Sequence, residues 1–123
     1  MTINRINLVI DCSDANVMAE FYQKLLNWEL THPPADGWAA ITSPAGEVMA
    51  FQEVSDYRPP VWPWEPGQPG QMLHLDFWVD DLEAGVRFAL DCGAVLAEQQ
   101  YYSSSRTMFD PAGHPFCIDT PED

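Results

Sequence analysis

From Met72 to Asp81 the chain reads Met-Leu-His-Leu-Asp-Phe-Trp-Val-Asp-Asp, alternating in period two before giving way to a helical pattern. Leu73, Leu75, Phe77 and Val79 fall on one face of the strand this predicts, and His74, Asp76 and Trp78 on the other. A half-exposed strand ordinarily carries Lys, Thr or Glu on its second face. An imidazole, a carboxylate and an indole there mark the wall of a cavity instead.

The same layout occurs earlier. Asn7-Leu-Val-Ile-Asp-Cys-Ser-Asp14 matches His74-Leu-Asp-Phe-Trp-Val-Asp-Asp81 at an offset of 67 residues, with Leu8 over Leu75 and Asp14 over Asp81. At that offset Phe21 falls on Phe88, and Ser43-Pro-Ala-Gly46 on Asp110-Pro-Ala-Gly113. Three consecutive identities at one offset predict two copies of one unit, and a long repeat governs how each element is read.

The first copy, residues 3–54, predicts a strand from Ile3 to Cys12, with Leu8, Ile10 and Cys12 on its apolar face. Ser13 or Asp14 then caps a helix to about Leu26, whose stripe is Met18, Phe21, Tyr22 and Leu25, and Asn27 ends it in a left-handed conformation. Strands are expected at Trp28–Thr31, Trp38–Thr42 and Glu47–Val54, with turns at Pro33-Pro34, Asp36-Gly37 and Pro44-Ala-Gly46. The second copy, residues 72–119, repeats this plan. It has a strand over Leu73–Val79, a helix capped by Asp80 or Asp81 with Leu82, Val86, Ala89 and Leu90 buried, and Gly93 as terminator. Strands at Ala94–Glu98, Arg106–Phe109 and Pro115–Asp119 complete it. Two such βαβββ units hide their apolar faces by placing helices outside a curved mixed sheet around a cleft, an α+β fold.

Between the copies, residues 55–71 hold five prolines together with Tyr57, Trp62 and Trp64. The segment reads either as a stiff connector whose aromatics cover an edge of the core or as an aromatic lid on the cleft.

Composition narrows the function. One compact domain of 123 residues buries roughly two-thirds of its unfolded surface unaided. Five basic against nineteen acidic side chains give a net charge of −14, which repels phosphate backbones and anionic membrane surfaces. A nucleic-acid partner is therefore not expected, nor is a membrane, since no apolar run reaches the length of a span. Cys12, Cys92 and Cys117 are odd in number and widely spaced, which suits reduced thiols in the cytoplasm.

The βαβββ repeat, the His-x-x-x-x-Val-Asp-Asp junction starting at His74 and the Asp110-Pro-Ala-Gly113 turn resemble the vicinal oxygen chelate superfamily, which unites glyoxalases, bleomycin-resistance proteins and extradiol dioxygenases. Phe51-Gln52, the Pro-rich linker and His74-Leu-Asp76 are similar to its bacterial glyoxalase-like domains. In metal-dependent relatives, each copy supplies a ligand from the start of its first strand and another from its last strand. Carried over, the resemblance places these at Asn7 and His74, at Cys117, and at Ala50 or its face-mate Gln52, with Asp119 the counterpart of Gln52. His74 alone fits the usual pattern. Asn, Ala and Gln are weak neutral donors, so no cofactor is expected, and zinc, iron, nickel or manganese on His74 with Gln52, Cys117 and Asp119 is the alternative.

Read from their neighbours, Cys117 is a small buried apolar residue, His114 and His32 sit in surface turns, and Asp76 orients a ring nitrogen, binds a substrate donor or is solvated. Two functional classes follow. One is a protein that binds a small aromatic or cationic molecule in a metal-free cleft lined by Asn7, Trp38, Gln52, His74, Asp76 and Trp78, with Cys117, Asp119, Trp62 and Trp64 contributing. The other is a metal-dependent lyase, isomerase or dioxygenase of the glyoxalase type, with His74 as its catalytic residue. The resemblance also implies a homodimer.

Overall fold

The computed structural model describes residues 1–121. By its internal contacts the chain divides into two units, residues 1–57 and 58–123, so the Pro-rich stretch from Arg58 onward goes with the second. Each unit is a βαβββ module, as the repeat predicts.

The first module comprises β1 (Asn7–Cys12), α1 (Ala15–Leu26), β2 (Glu29–Ala35), β3 (Trp38–Thr42) and β4 (Val48–Glu53). Its four strands form one mixed sheet in the order β1-β4-β3-β2, with β1 parallel to β4 and the other pairs antiparallel. Asp14 caps α1, its carboxylate accepting from the Asn16 and Val17 amides at 3.0 and 3.2 Å, and Asn27 closes the helix at φ 56°. Met18, Phe21 and Tyr22 are buried on α1 as expected, with Ala15 and Ala19, while Leu25 is only half-buried. Tyr22 stacks on Phe51 of β4 with ring centroids 5.5 Å apart, and this pair forms the centre of the core. Cys12 is fully buried in the same module. Burial pushes its thiol up to about 11, with the Glu53 carboxylate adding to the effect, so it stays protonated at neutral pH.

The second module comprises β5 (Leu75–Trp78), α2 (Leu82–Cys92), β6 (Val95–Leu96), β7 (Ser105–Phe109) and β8 (Pro115–Asp119). Its sheet has the corresponding order β5-β8-β7-β6. Asp81 caps α2 by accepting from the Ala84 amide at 3.1 Å, and Gly93 ends it at φ 118°. The two Pro-Ala-Gly turns are alike atom for atom. Ser43 Oγ accepts from the Ala45 and Glu47 amides, and Asp110 Oδ1 accepts from the Ala112 and His114 amides.

Several expectations are corrected. Strand β1 begins at Asn7 rather than Ile3. Strand β2 runs on through Pro33-Pro34 to Ala35, because it is an edge strand where a missing N–H costs no ladder bond, and bulges at Leu30/His32 and His32/Ala35 absorb the irregularity. Strand β5 begins at Leu75 instead of Leu73, opposite Phe116, since the partner strand starts at Pro115. Strand β6 shrinks to two residues. On α2, Ala89 is buried, Leu82 and Val86 are half-buried, and Leu90 is exposed.

The last difference has a cause in packing. At the repeat offset, the buried Met18 of α1 corresponds to Gly85 of α2, and Phe51 to Ile118. A Cβ on Gly85 would sit 3.0 Å from Ile118 Cγ2 and 3.0 Å from Val79 Cγ2. Helix α2 therefore contacts its sheet by close backbone approach, where α1 stands off on large side chains. Its stripe covers less, and Phe88 is 50% exposed where Phe21 is 2%.

Candidate functional site

The face of the second sheet opposite α2 follows from strand alternation. Leu75 and Phe77 turn toward the core, with Phe77 against Phe116 at 5.6 Å between ring centroids. His74, Asp76 and Trp78 point the other way. Register then sets rows across three strands. Asp76 lies beside Cys117 and Cys117 beside Thr107, while Trp78 lies beside Asp119 and Asp119 beside Ser105. All six line a cavity of about 470 Å³ together with His74.

Besides Pro115, Phe116 and Thr120 in and just after β8, its remaining walls come from two irregular segments. Trp62 and Gln71 belong to the Pro-rich loop, and Gln100, Tyr101, Tyr102 and Ser104 to the run between β6 and β7. Trp62 packs edge-on against Tyr101 at 5.8 Å and Phe109 at 6.3 Å. It thus covers the edge of the core, as the connector reading has it, and also forms cavity wall. Gln100 fixes the other segment. Its amide donates to the Ala97 and Thr107 carbonyls at 2.9 Å each, and its oxygen accepts from the Thr107 amide at 2.8 Å. A side chain here does the pairing that a longer β6 would have done.

Within the cavity His74 Nε2 and Asp76 Oδ1 are 3.0 Å apart, so Asp76 does orient a ring nitrogen. Cys117 is half-exposed, not buried, because its position on β8 faces the cavity. Its Sγ lies 3.6 Å from Thr107 Oγ1. Asp119, only 9% exposed, also lines the cavity. Neither Lys nor Arg lines the cavity. The guanidinium of Arg106, between two lining residues on β7, donates instead to the carbonyls of Tyr102, Ser103 and Ser105.

Donor atoms of His74, Asp76 and Cys117 lie within 4.8 Å of one another, close enough to share one ion. One imidazole, one carboxylate and one thiol make a mixed set that fits zinc, iron or nickel better than manganese, which favours oxygen. Two of the expected candidates, His74 and Cys117, belong to this group. Asp76 joins it, Asp119 lines the cavity outside it, and Gln52 donates to Asp11 at 2.7 Å on the first module's sheet. Trp38 pairs in register with Gln52 on that sheet, and Asn7 opens β1 opposite Val48. Trp64 borders a separate hollow in the Pro-rich loop. His114 lies in its turn as expected, whereas His32 lies in the edge strand β2 instead of a turn, and neither lines the cavity. Sequence reasoning missed Gln71, Gln100, Tyr101 and Tyr102. The available signal was the Tyr-Tyr pair, two adjacent rings in a stretch with no strand pattern.

The model of the glyoxalase-like domain matches residues 7–118. The chain belongs to that family. Among solved structures, this glyoxalase-like domain is similar to a glyoxalase/bleomycin resistance protein/dioxygenase family enzyme from Burkholderia phytofirmans. The two are 16% identical with a TM-score of 0.67, over 93% of this chain and 95% of that one. It also resembles the fosfomycin resistance protein FosX from Listeria monocytogenes, at 15% identity and a TM-score of 0.69 over 99% and 94% of the two chains. A glyoxylase/bleomycin resistance protein/dioxygenase domain from a Frankia species is 16% identical, with a TM-score of 0.65 over 99% and 100%. Identities this low establish a shared fold and nothing finer. No curated protein matches the glyoxalase-like chain in sequence. No helix among its described residues is long and apolar enough to cross a membrane.

Proposed function

We propose that this glyoxalase-like protein binds a small aromatic cation in the cavity of its second module. The observation that carries the reading is the chemistry of the walls: Trp62, Trp78, Tyr101 and Tyr102 line the same cavity as the carboxylates of Asp76 and Asp119, and neither Lys nor Arg joins them, His74 being the basic group there, beside Asp76. Aromatic faces and carboxylates attract a cation twice over, through ring quadrupoles and through charge, and the net charge of −14 draws cations toward the protein. An anionic ligand would meet the opposite of what it needs. Trp78, 67% exposed on a strand face, is an expensive surface unless something covers it. A homodimer in the cytoplasm belongs to the same proposal, on the strength of the family resemblance and of three widely spaced cysteines with no Cys-x-x-Cys pair.

Calorimetric titration with benzyltrimethylammonium tests this. The wild-type protein is expected to bind it. Trp78→Ala and Asp76→Asn should each weaken binding about tenfold, as loss of a partly desolvated cation–π or charge contact would. Equal affinity for the uncharged isostere neopentylbenzene would sink the cationic part of the reading.

A second reading is favoured by the spacing of His74, Asp76 and Cys117. A divalent ion held by the three would supply Lewis-acid polarisation of a carbonyl or enolate oxygen, the chemistry of a lyase, isomerase or dioxygenase. In that case the aromatic walls orient the substrate and exclude water. Protein purified without chelator and challenged with zinc, iron, nickel and manganese is then expected to hold about one ion per chain. His74→Ala should abolish that stoichiometry. Metal-free protein that none of the four ions stabilises thermally would end this reading.

A further inference from the structure

The Pro-rich loop encloses a second hollow of about 520 Å³, bordered by Val61, Trp64 and Met72. It shares Trp62, Gln71 and Tyr101 with the first cavity. The edge-packed Trp62–Tyr101 pair is thus a partition between two adjoining spaces of opposite character. One side holds His74, Asp76 and Asp119; the other holds an indole, a thioether and a valine, and no ionisable group apart from the phenol of Tyr101.

The indole of Trp64 is placed there deliberately. Its Nε1 donates to the Gln68 carbonyl at 3.0 Å, and it lies over Gly70 so closely that a Cβ on that residue would fall 2.7 Å from Trp64 Cδ1. The Val61 amide, donating to the Pro69 carbonyl at 2.7 Å, closes the loop around it. Two anchors hold the ring, yet 62% of Trp64 and all of Met72 remain exposed. An aromatic that is fixed in place and left uncovered is a surface made for apolar contact.

Resting on the aromatic-cation reading, we infer that the ligand is bipartite: an amine whose cationic head sits at Asp76 and Asp119, and whose apolar arm passes the Trp62–Tyr101 partition to lie against Trp64 and Met72. Charge assigns the head to the acidic cavity, and the absence of charge assigns the arm to the other. The shared residues make one continuous binding surface of the two spaces.

The test is a titration series of alkyltrimethylammonium ions from methyl to hexyl, used below their micellar concentrations. Affinity should rise by up to about fourfold per methylene once the chain is long enough to reach the second hollow. In Gly70→Ala, which displaces Trp64, and in Met72→Ser, at a fully exposed position that folding does not depend on, the gain from tetramethyl- to hexyltrimethylammonium should fall at least fivefold. Tetramethylammonium, which has no arm, is the reference within each variant. A head that binds with no gain in chain length, or a gain both variants retain, overturns the two-part ligand and leaves the aromatic-cation reading standing. Failure of every member to bind, where benzyltrimethylammonium does, overturns the two-part ligand alone, and failure of benzyltrimethylammonium as well overturns both.

Discussion

Replacing Phe51 by alanine is expected to cost about 3–5 kcal/mol of folding stability, the largest loss of any single truncation in the first module. Phe51 has no exposed surface, and its ring stacks on Tyr22, which in turn meets Phe21 edge-on at 4.8 Å. It stands between Ile10 of β1 and Ala39 of β3 in the sheet register, so the strands hold its Cα in place and the cavity left behind collapses only in part. Against a total stability of about 5–15 kcal/mol, that loss moves the protein to the edge of folding. Urea unfolding followed by circular dichroism measures it as a lower midpoint at unchanged slope. A shift equivalent to less than about 1 kcal/mol would mean that the aromatic stack is not the centre of this core. In the second module the corresponding residue is Ile118, and Ile118→Val should cost only about 1 kcal/mol.

Asp110→Ala is expected to destabilise by about 2–4 kcal/mol and to loosen ligand binding with it. The carboxylate is 4% exposed and accepts from the Ala112 amide at 2.9 Å and the His114 amide at 3.0 Å. Alanine leaves both donors without that acceptor, one of them in a buried residue. This turn also launches β8, which carries Cys117 and Asp119 into the cavity, so its loosening is felt at the site. Benzyltrimethylammonium affinity measured alongside urea unfolding reads both effects. Ser43→Ala is the internal comparison, since the same two-amide geometry there rests on a neutral hydroxyl and should cost about 1 kcal/mol. Equal losses at the two turns would show that the charge of Asp110 adds nothing.

The contrast between these turns shows how far a repeat can be read. The 67-residue offset carried the turn, the caps and the strand order from one module to the other, because each depends on residues within a few positions of one another. It did not carry the packing. Phe88 matches Phe21 by offset, yet half of it is exposed, since Gly85 in place of Met18 brings α2 down onto its sheet and changes what the stripe can reach. Similarly, Pro33-Pro34 reads locally as a turn. Only the position of β2 at a sheet edge lets those prolines remain in a strand.

The site divides along the same line. Alternation from His74 to Trp78 marked three cavity residues, and the resemblance of the βαβββ repeat pointed to β8 for more, because strand periodicity projects directly onto a sheet face. That Asp76 lies beside Cys117, and that both lie near His74, depends on the parallel register of β5 with β8. Gln100, Tyr101 and Gln71 come to the cavity along irregular paths with no period to project. By itself the sequence determined two α+β modules, their helix caps, their turns and the acidic character of the protein, all matters of local chemistry and composition. Tertiary structure alone decided which side chains share a space, because that follows from strand register and the depth at which each helix packs, and both are fixed by contacts between residues far apart in the chain.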